Sequence, residues 1–158
     1  MTCEVLHVGT LSKTLGSLGG WVAGSRTMIE LLINRARSFI FTTGLSPADT
    51  AAGLAALNIV MSAEGDALRS TLRTLIDELA PAHPSPIIPI ILGEDRAALL
   101  AAHTLLEQGI YVPAIRPPTV PPGTARLRIA LSAAHSLPML RQLQAALSTL
   151  QRPAGAMT

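Results

Sequence analysis

Gly9-Thr10-Leu11-Ser12-Lys13-Thr14-Leu15-Gly16-Ser17-Leu18-Gly19-Gly20 contains the only lysine of the chain, and the reading of this stretch governs the rest. Of the 12 lysines and arginines, one is Lys13 and the other eleven are arginines. Arginine serves wherever only positive charge is wanted, but its guanidinium stays protonated and cannot condense with an aldehyde. A lysine amine can lose its proton and form a Schiff base. Chance survival of one lysine in an arginine-favouring chain is the alternative, so the neighbouring residues must decide. Gly9, Ser12, Gly16, Ser17, Gly19 and Gly20 leave room for a planar ligand and for close backbone approach to a phosphate, and Thr10 and Ser12 add hydroxyl donors. Two commoner glycine motifs are excluded. A Walker-type loop needs glycine directly before the lysine, where Ser12 stands, and Gly16-Ser17-Leu18-Gly19 supplies only the second half of a dinucleotide fingerprint.

Outward from the loop, residues 4–8 and 21–24 read as short flanking strands, and residues 27–37 as a helix with Met28, Leu31, Leu32 and Arg35 at helical spacing. Ser46-Pro47-Ala48-Asp49 is a helix start: Ser46 caps, Pro47 suits the first turn, and Asp49 favours the helix N-terminus. A long helix or broken pair then runs towards Leu79. Gly65 is the expected interruption, and Leu68, Leu72, Leu75, Ile76 and Leu79 form the apolar stripe of the second half. Pro81-Ala82-His83-Pro84-Ser85-Pro86 marks the main boundary. Beyond it the pattern predicts a strand over 87–92, a helix over 95–108 ended by Gly109, strands over 110–115 and 126–132, and a last helix over 137–150.

A second informative segment is Ala114-Ile115-Arg116-Pro117-Pro118-Thr119-Val120-Pro121-Pro122-Gly123-Thr124-Ala125-Arg126-Leu127-Arg128-Ile129. Proline explains a loop before an edge strand. It does not explain two arginines at alternate strand positions on one side.

The bulk properties exclude several classes. In 158 residues, 49% are hydrophobic and 14% charged, which argues for a packed core and against disorder. A net charge of +2 without a basic run or aromatic platform gives no sign of a nucleic-acid partner. The longest apolar stretch, over 51–61, is too short to span a bilayer. Cys3 alone cannot close an intramolecular disulfide, and with no charged-then-apolar leader at the start a cytoplasmic location is expected. His7, His83, His103 and His135 lack metal-ligand spacing and read as capping or core residues.

The order T-x-S-K-x-x-G-x-x-G-G over residues 10–20 resembles the cofactor-lysine loop of the α-oxoamine synthases, pyridoxal-phosphate enzymes of fold type I. Residues 114–129 are most similar to the substrate-carboxylate segment of the biotin-pathway branch of that family. Branches that make 5-aminolevulinate, 2-amino-3-ketobutyrate or ketosphinganine share its P-x-G-x-x-R-x-R ending. The resemblance covers residues 4–150. It implies an α/β chain in two parts: residues 1–80 as the end of the large cofactor-binding domain plus bridging helices, and residues 81–158 as a small C-terminal α/β domain with a mostly antiparallel sheet.

The resemblance also implies roles. Lys13 would hold pyridoxal phosphate and remove the α-proton of the amino acid. Thr10 would meet the cofactor phosphate or hold the loop, and Thr42 and Thr43 would reach the phosphate of the other subunit of a homodimer. Arg128 would grip the amino-acid carboxylate with Thr119 near the substrate, and Arg126 would be structural. For Thr42 and Thr43 a β-prone strand end is the alternative. The implied reaction is the decarboxylative condensation of L-alanine with a pimeloyl thioester, carried on coenzyme A or acyl carrier protein. The family's Asp-Glu-x-His segment, which serves the pyridine ring, lies some tens of residues before the lysine, yet only twelve residues precede Lys13 and none is aspartate. The chain therefore reads as the C-terminal part of a synthase, not competent alone. The alternative is a catalytically silent fragment of such an enzyme, or of a related glycine C-acyltransferase, acting at most through dimer-type contacts.

Overall fold

The structure, a computed structural model, describes residues 3–150, so the outermost residues of the two expected domains, 1–2 and 151–158, lie outside the described residues. Two compact units divide the chain at Asp66 and Ala67. In the first, strands β1 (His7–Thr10) and β2 (Gly20–Ala23) pair antiparallel with Gly9 opposite Trp21 and Thr10 opposite Gly20. Helix α1 (Arg26–Arg35) begins where the Ser25 hydroxyl accepts from the Met28 amide, and extended Ala36 separates it from the single turn α2 (Arg37–Ile40). Helix α3 (Pro47–Val60) starts at the expected cap, the Ser46 hydroxyl accepting from the Asp49 amide at 3.1 Å.

The interruption expected at Gly65 falls instead at Met61 and Ser62, and Gly65 lies inside α4 (Ala63–Leu79). Ser62 caps the new helix: its carbonyl accepts from the Asp66 amide at 3.1 Å, and its hydroxyl from the Gly65 amide at 3.5 Å. Glycine is required at 65 by space, because a Cβ there would come within 2.3 Å of the Ile59 carbonyl oxygen. Among the described residues of the first unit only Gly53 and Gly65 are buried.

The second unit, Ala67–Thr158, holds a three-stranded antiparallel sheet in the order β3 (Ile87–Gly93), β5 (Ala125–Ala130), β4 (Ala114–Ile115). The strand expected over 110–115 shrinks to two residues. The Ile110 amide is spent on the Leu105 carbonyl at the end of α5 (Asp95–Glu107), and Pro113 has no N–H to give a ladder. Strand β5 alternates: Ala125, Leu127 and Ile129 are buried, while Arg126, Arg128 and Ala130 point to the other face. The buried face meets Ala101 and Leu105 of α5, Leu140, Leu143 and Ala146 of α6 (Leu137–Leu150), and Leu75 and Ile76 of α4 in one core. Leu68, counted in the α4 stripe from the sequence, is 44% exposed. Two glutamines of α6 tie neighbouring helix ends, with Gln142 donating to the Gln108 carbonyl and Gln144 to that of Glu78. No helix of the described residues is long and apolar enough to cross a membrane.

The proline-rich stretch after α4 is pinned by an ion pair. Arg73 donates to both oxygens of Asp77 and to the His83 carbonyl, and Asp77 accepts from the Ala82 amide at 3.1 Å. The Arg73 guanidinium first, then the Ala82 amide, hold the Asp77 carboxyl below the ordinary carboxylate range. A depressed folded pKa gives a contribution that is present above the unfolded value and lost as pH falls through the folded one. Asp77→Asn is therefore expected to speed hydrogen exchange at the Ala82 amide several-fold at neutral pH. The wild-type turn should loosen only in acid, below the ordinary carboxylate range. Unchanged exchange in the variant would show that the prolines alone fix the turn.

Candidate active site

The lysine loop is closed by its own backbone. Leu11 donates to the Gly19 carbonyl, Ser17 to the Leu11 carbonyl and Gly16 to the Lys13 carbonyl, each at 2.9 Å. The last bond makes residues 13–16 a tight turn, and Gly16 closes it at φ +55, a left-handed conformation natural to glycine. The Thr10 hydroxyl serves this loop: it lies 2.7 Å from the Ser12 hydroxyl, accepts from the Ser12 amide at 3.1 Å and reaches the Gly19 carbonyl at 3.3 Å. The Ser17 hydroxyl donates to the Asp49 carbonyl and so rests the loop on α3. Lys13, first residue of the turn, is exposed, and its amine has no hydrogen bond or ion pair among the described residues. Thr42 and Thr43 lie in the loop between α2 and α3, not in a strand; both are exposed, and no hydrogen bond joins them to the lysine loop.

The other expected site residues belong to the second unit. Arg128 lies on β5, its amide donating to the Pro113 carbonyl at 3.0 Å, and its guanidinium has no partner among the described residues. It lines an open cleft of about 490 Å3 together with Ile110, Tyr111, Val112, His135 and Met139. Arg126 is half-buried and donates from Nε to the Thr124 carbonyl at 2.9 Å. Thr119 is exposed in the turn that its amide closes onto the Arg116 carbonyl, and it is not among the residues lining the Arg128 cleft. The capping role expected for His135 is present, its Nδ1 accepting from the Ser132 amide at 3.1 Å, and the residue also lines the cleft, which the sequence did not indicate. The available signal was Ser132-Ala133-Ala134-His135 directly after the two-arginine strand and before a helix. Among the described residues no group of three histidine, cysteine or acidic side chains could hold a metal ion.

An exposed amine with no partner among the described residues, at the head of a glycine-closed turn on a loop that also carries the Thr10 and Ser12 hydroxyls, fits an aldehyde-bearing phosphate. Comparison with known proteins agrees. Residues 1–147 match the family of class I and II aminotransferases. An 8-amino-7-oxononanoate synthase from Herminiimonas arsenicoxydans is 49% identical over 94% of the chain and 41% of its own length. Among solved structures, a serine palmitoyltransferase variant from S. paucimobilis with PLP and myriocin bound superposes with a TM-score of 0.76 at 28% identity, over 92% of this chain and 40% of that one. The 8-amino-7-oxononanoate synthase of Francisella tularensis gives 0.69 at 27% identity, over 92% and 44%. The chain thus spans about two-fifths of the length of the relatives it matches.

Proposed function

We propose, from the premise that this chain belongs to the class I and II aminotransferase family, that it carries the lysine-bearing part of an 8-amino-7-oxononanoate synthase. The observation that carries the reading is the Lys13 amine on the closed loop, without a partner among the described residues, and the 49% identical synthase supports the choice of branch. Pyridoxal phosphate supplies an electron sink that stabilises negative charge at the amino-acid α-carbon. Lys13 holds the cofactor and then moves the α-proton of L-alanine at its Nζ. Thr10 keeps the loop in shape, and Thr42 and Thr43 serve the phosphate across the interface of a homodimer. Arg128 holds the amino-acid carboxylate, and Thr119, although outside the cleft that Arg128 lines, is assigned to the substrate from the turn over 116–119. The alanine α-carbon joins the pimeloyl carbonyl carbon as the thiol carrier leaves, and a proton takes the place of the carboxylate on that carbon as carbon dioxide departs. In this reading residues 1–80 end the large domain and bridge to the small one, residues 81–158, and the protein works in the cytoplasm.

A second reading keeps the fold without the turnover. It is favoured by the first unit, where Phe39, Phe41 and Met61 are each more than 60% exposed, a surface suited to dimer-type contacts in a silent chain. The branch is tested by amino-acid selectivity. L-alanine is expected to lower borohydride-trapped cofactor at Lys13 several-fold more than L-serine or glycine does. Preference for serine would move the chain to another branch, and no effect of any amino acid would favour the silent reading.

A further inference from the structure

We propose that the open edge of β3 is built to refuse a further strand, with Pro89 and Ser85 as the two residues that close it. Strand β3 stands at the end of the sheet order, so one side of its backbone pairs with β5 and the other meets no strand among the described residues. The register fixes which groups face that open side. The Arg128 amide donates to the Pro113 carbonyl, away from β3, and the Leu131 amide donates to the Pro86 carbonyl, towards it. Backbone groups alternate in direction along a strand. Ile88 and Ile90, opposite Ile129 and Leu127, therefore turn theirs to β5, whereas Ile87, Pro89 and Ile91, opposite Ala130, Arg128 and Arg126, turn theirs to the open edge.

Of these outward positions, Pro89 has no N–H to offer, and the Ile87 amide donates at 3.1 Å to the Ser85 hydroxyl of its own chain. The Ile91 amide alone has no partner among the described residues, and the register shift between Ile91 and Gly93 ends the regular strand directly after it. The side chains show why the edge needs closing. Ile87-Ile88-Pro89-Ile90-Ile91-Leu92 is uncharged, and Ile87 and Ile91 are 51% and 61% exposed. Short uncharged runs rich in β-branched residues pair with their own kind unless a proline or a charge interrupts them. The occupant refused is a second copy of the same strand, because two β3 edges set antiparallel about a twofold axis are self-complementary. With that axis at residue 89, residue 87 of one copy faces residue 91 of the other. The bonds donated from 87 and 89 of both copies are then missing, and only those from Ile91 remain.

The test follows sedimentation and residue-resolved hydrogen exchange of the 158-residue chain over a wide range of concentration. Pro89→Thr restores an amide without adding apolar surface, and Ser85→Ala frees the Ile87 amide. The double variant is expected to associate at least tenfold more tightly than wild type, and its Ile91 amide to exchange at least tenfold more slowly at the highest concentration than at the lowest. In the wild-type chain exchange at Ile91 should be fast and independent of concentration, even if copies associate through another surface. Adding Ile91→Lys, a charge on the edge, should return the double variant to wild-type sedimentation. Each single variant should associate about threefold more tightly than wild type, which keeps the measurement available if the double variant does not fold. Wild-type sedimentation in every variant overturns the proposal. So does association that leaves exchange at Ile91 fast, association that Ile91→Lys does not reverse, or concentration-dependent protection of Ile91 already in the wild-type chain. No cofactor or substrate enters the measurement, so its outcome is separate from that of Lys13 labelling.

Discussion

Borohydride reduction of the chain with pyridoxal phosphate is expected to place several times more label on Lys13 than on the N-terminal amine, and Lys13→Arg to abolish labelling at that position. Ordinary amine chemistry points the other way. Near pH 7.5 an α-amine with a pKa of about 7.7–8 is roughly a third deprotonated, whereas an ordinary lysine at about 10.4 is deprotonated on the order of one part in a thousand. Preference for Lys13 therefore requires that the loop hold the cofactor beside the amine. The Lys13–Gly16 turn presents that amine without a competing partner among the described residues, and the same loop carries the paired Thr10 and Ser12 hydroxyls. Binding is expected to be weak, and turnover of alanine with pimeloyl thioester by the chain alone undetectable, because the chain spans about two-fifths of its relatives. Peptide mapping by mass spectrometry reads the result. Label equal at the two amines would mean that no cofactor site is formed by this loop, and robust turnover would show the chain to be competent by itself.

Leu127→Ala is expected to destabilise the second unit by about 3–5 kcal/mol, the range for emptying a fully buried leucine site. Leu127 has no solvent exposure and sits at the centre of β5 between Ile90 and Ala114, so both neighbouring strands restrict how far the cavity can collapse. Against a typical domain stability of about 5–15 kcal/mol this is a large share, and it should appear as a fall of about 15 °C or more in Tm followed by circular dichroism. Leu100→Ala, on α5 but 64% exposed, should stay within about 0.5 kcal/mol of wild type. Comparable losses in the two variants would place the core elsewhere.

What could be read from the sequence was what depends on near neighbours. Ser46-Pro47-Ala48-Asp49 starts a helix because the cap bond is three residues long, and the 137–150 helix keeps its expected bounds because its leucines repeat at helical spacing. Alternation of small and apolar residues with Arg126 and Arg128 likewise marked β5. The misses have non-local or competing causes. Gly65 looked like a breaker, but the close carbonyls of Ile59 and Val60 explain it and Ser62 makes the actual start. Residues 110–113 have strand-like composition, yet the Ile110 amide is taken by the end of α5. In the site, glycines and hydroxyls marked the lysine loop, but the bonds from Leu11, Gly16 and Ser17 that close it could not be read from composition. The place of His135 in the Arg128 cleft was not, since it depends on how the 109–113 segment, β5 and α6 come together.

The strand order β3-β5-β4 also fixes when this unit can fold as it leaves a ribosome. Both partners of β5 are made before it, and Ile88 meets Ile129, 41 positions further along the sequence. Until β5 emerges, β3 and β4 have no common neighbour, and until residues 140–146 follow, the core lacks Leu140, Leu143 and Ala146. A nascent chain that stops short of residue 125 consequently displays Leu75, Ile88 and Leu105 without their sheet. Translation of the last stretch of this unit is thus the interval in which it most needs shielding from other unfinished chains.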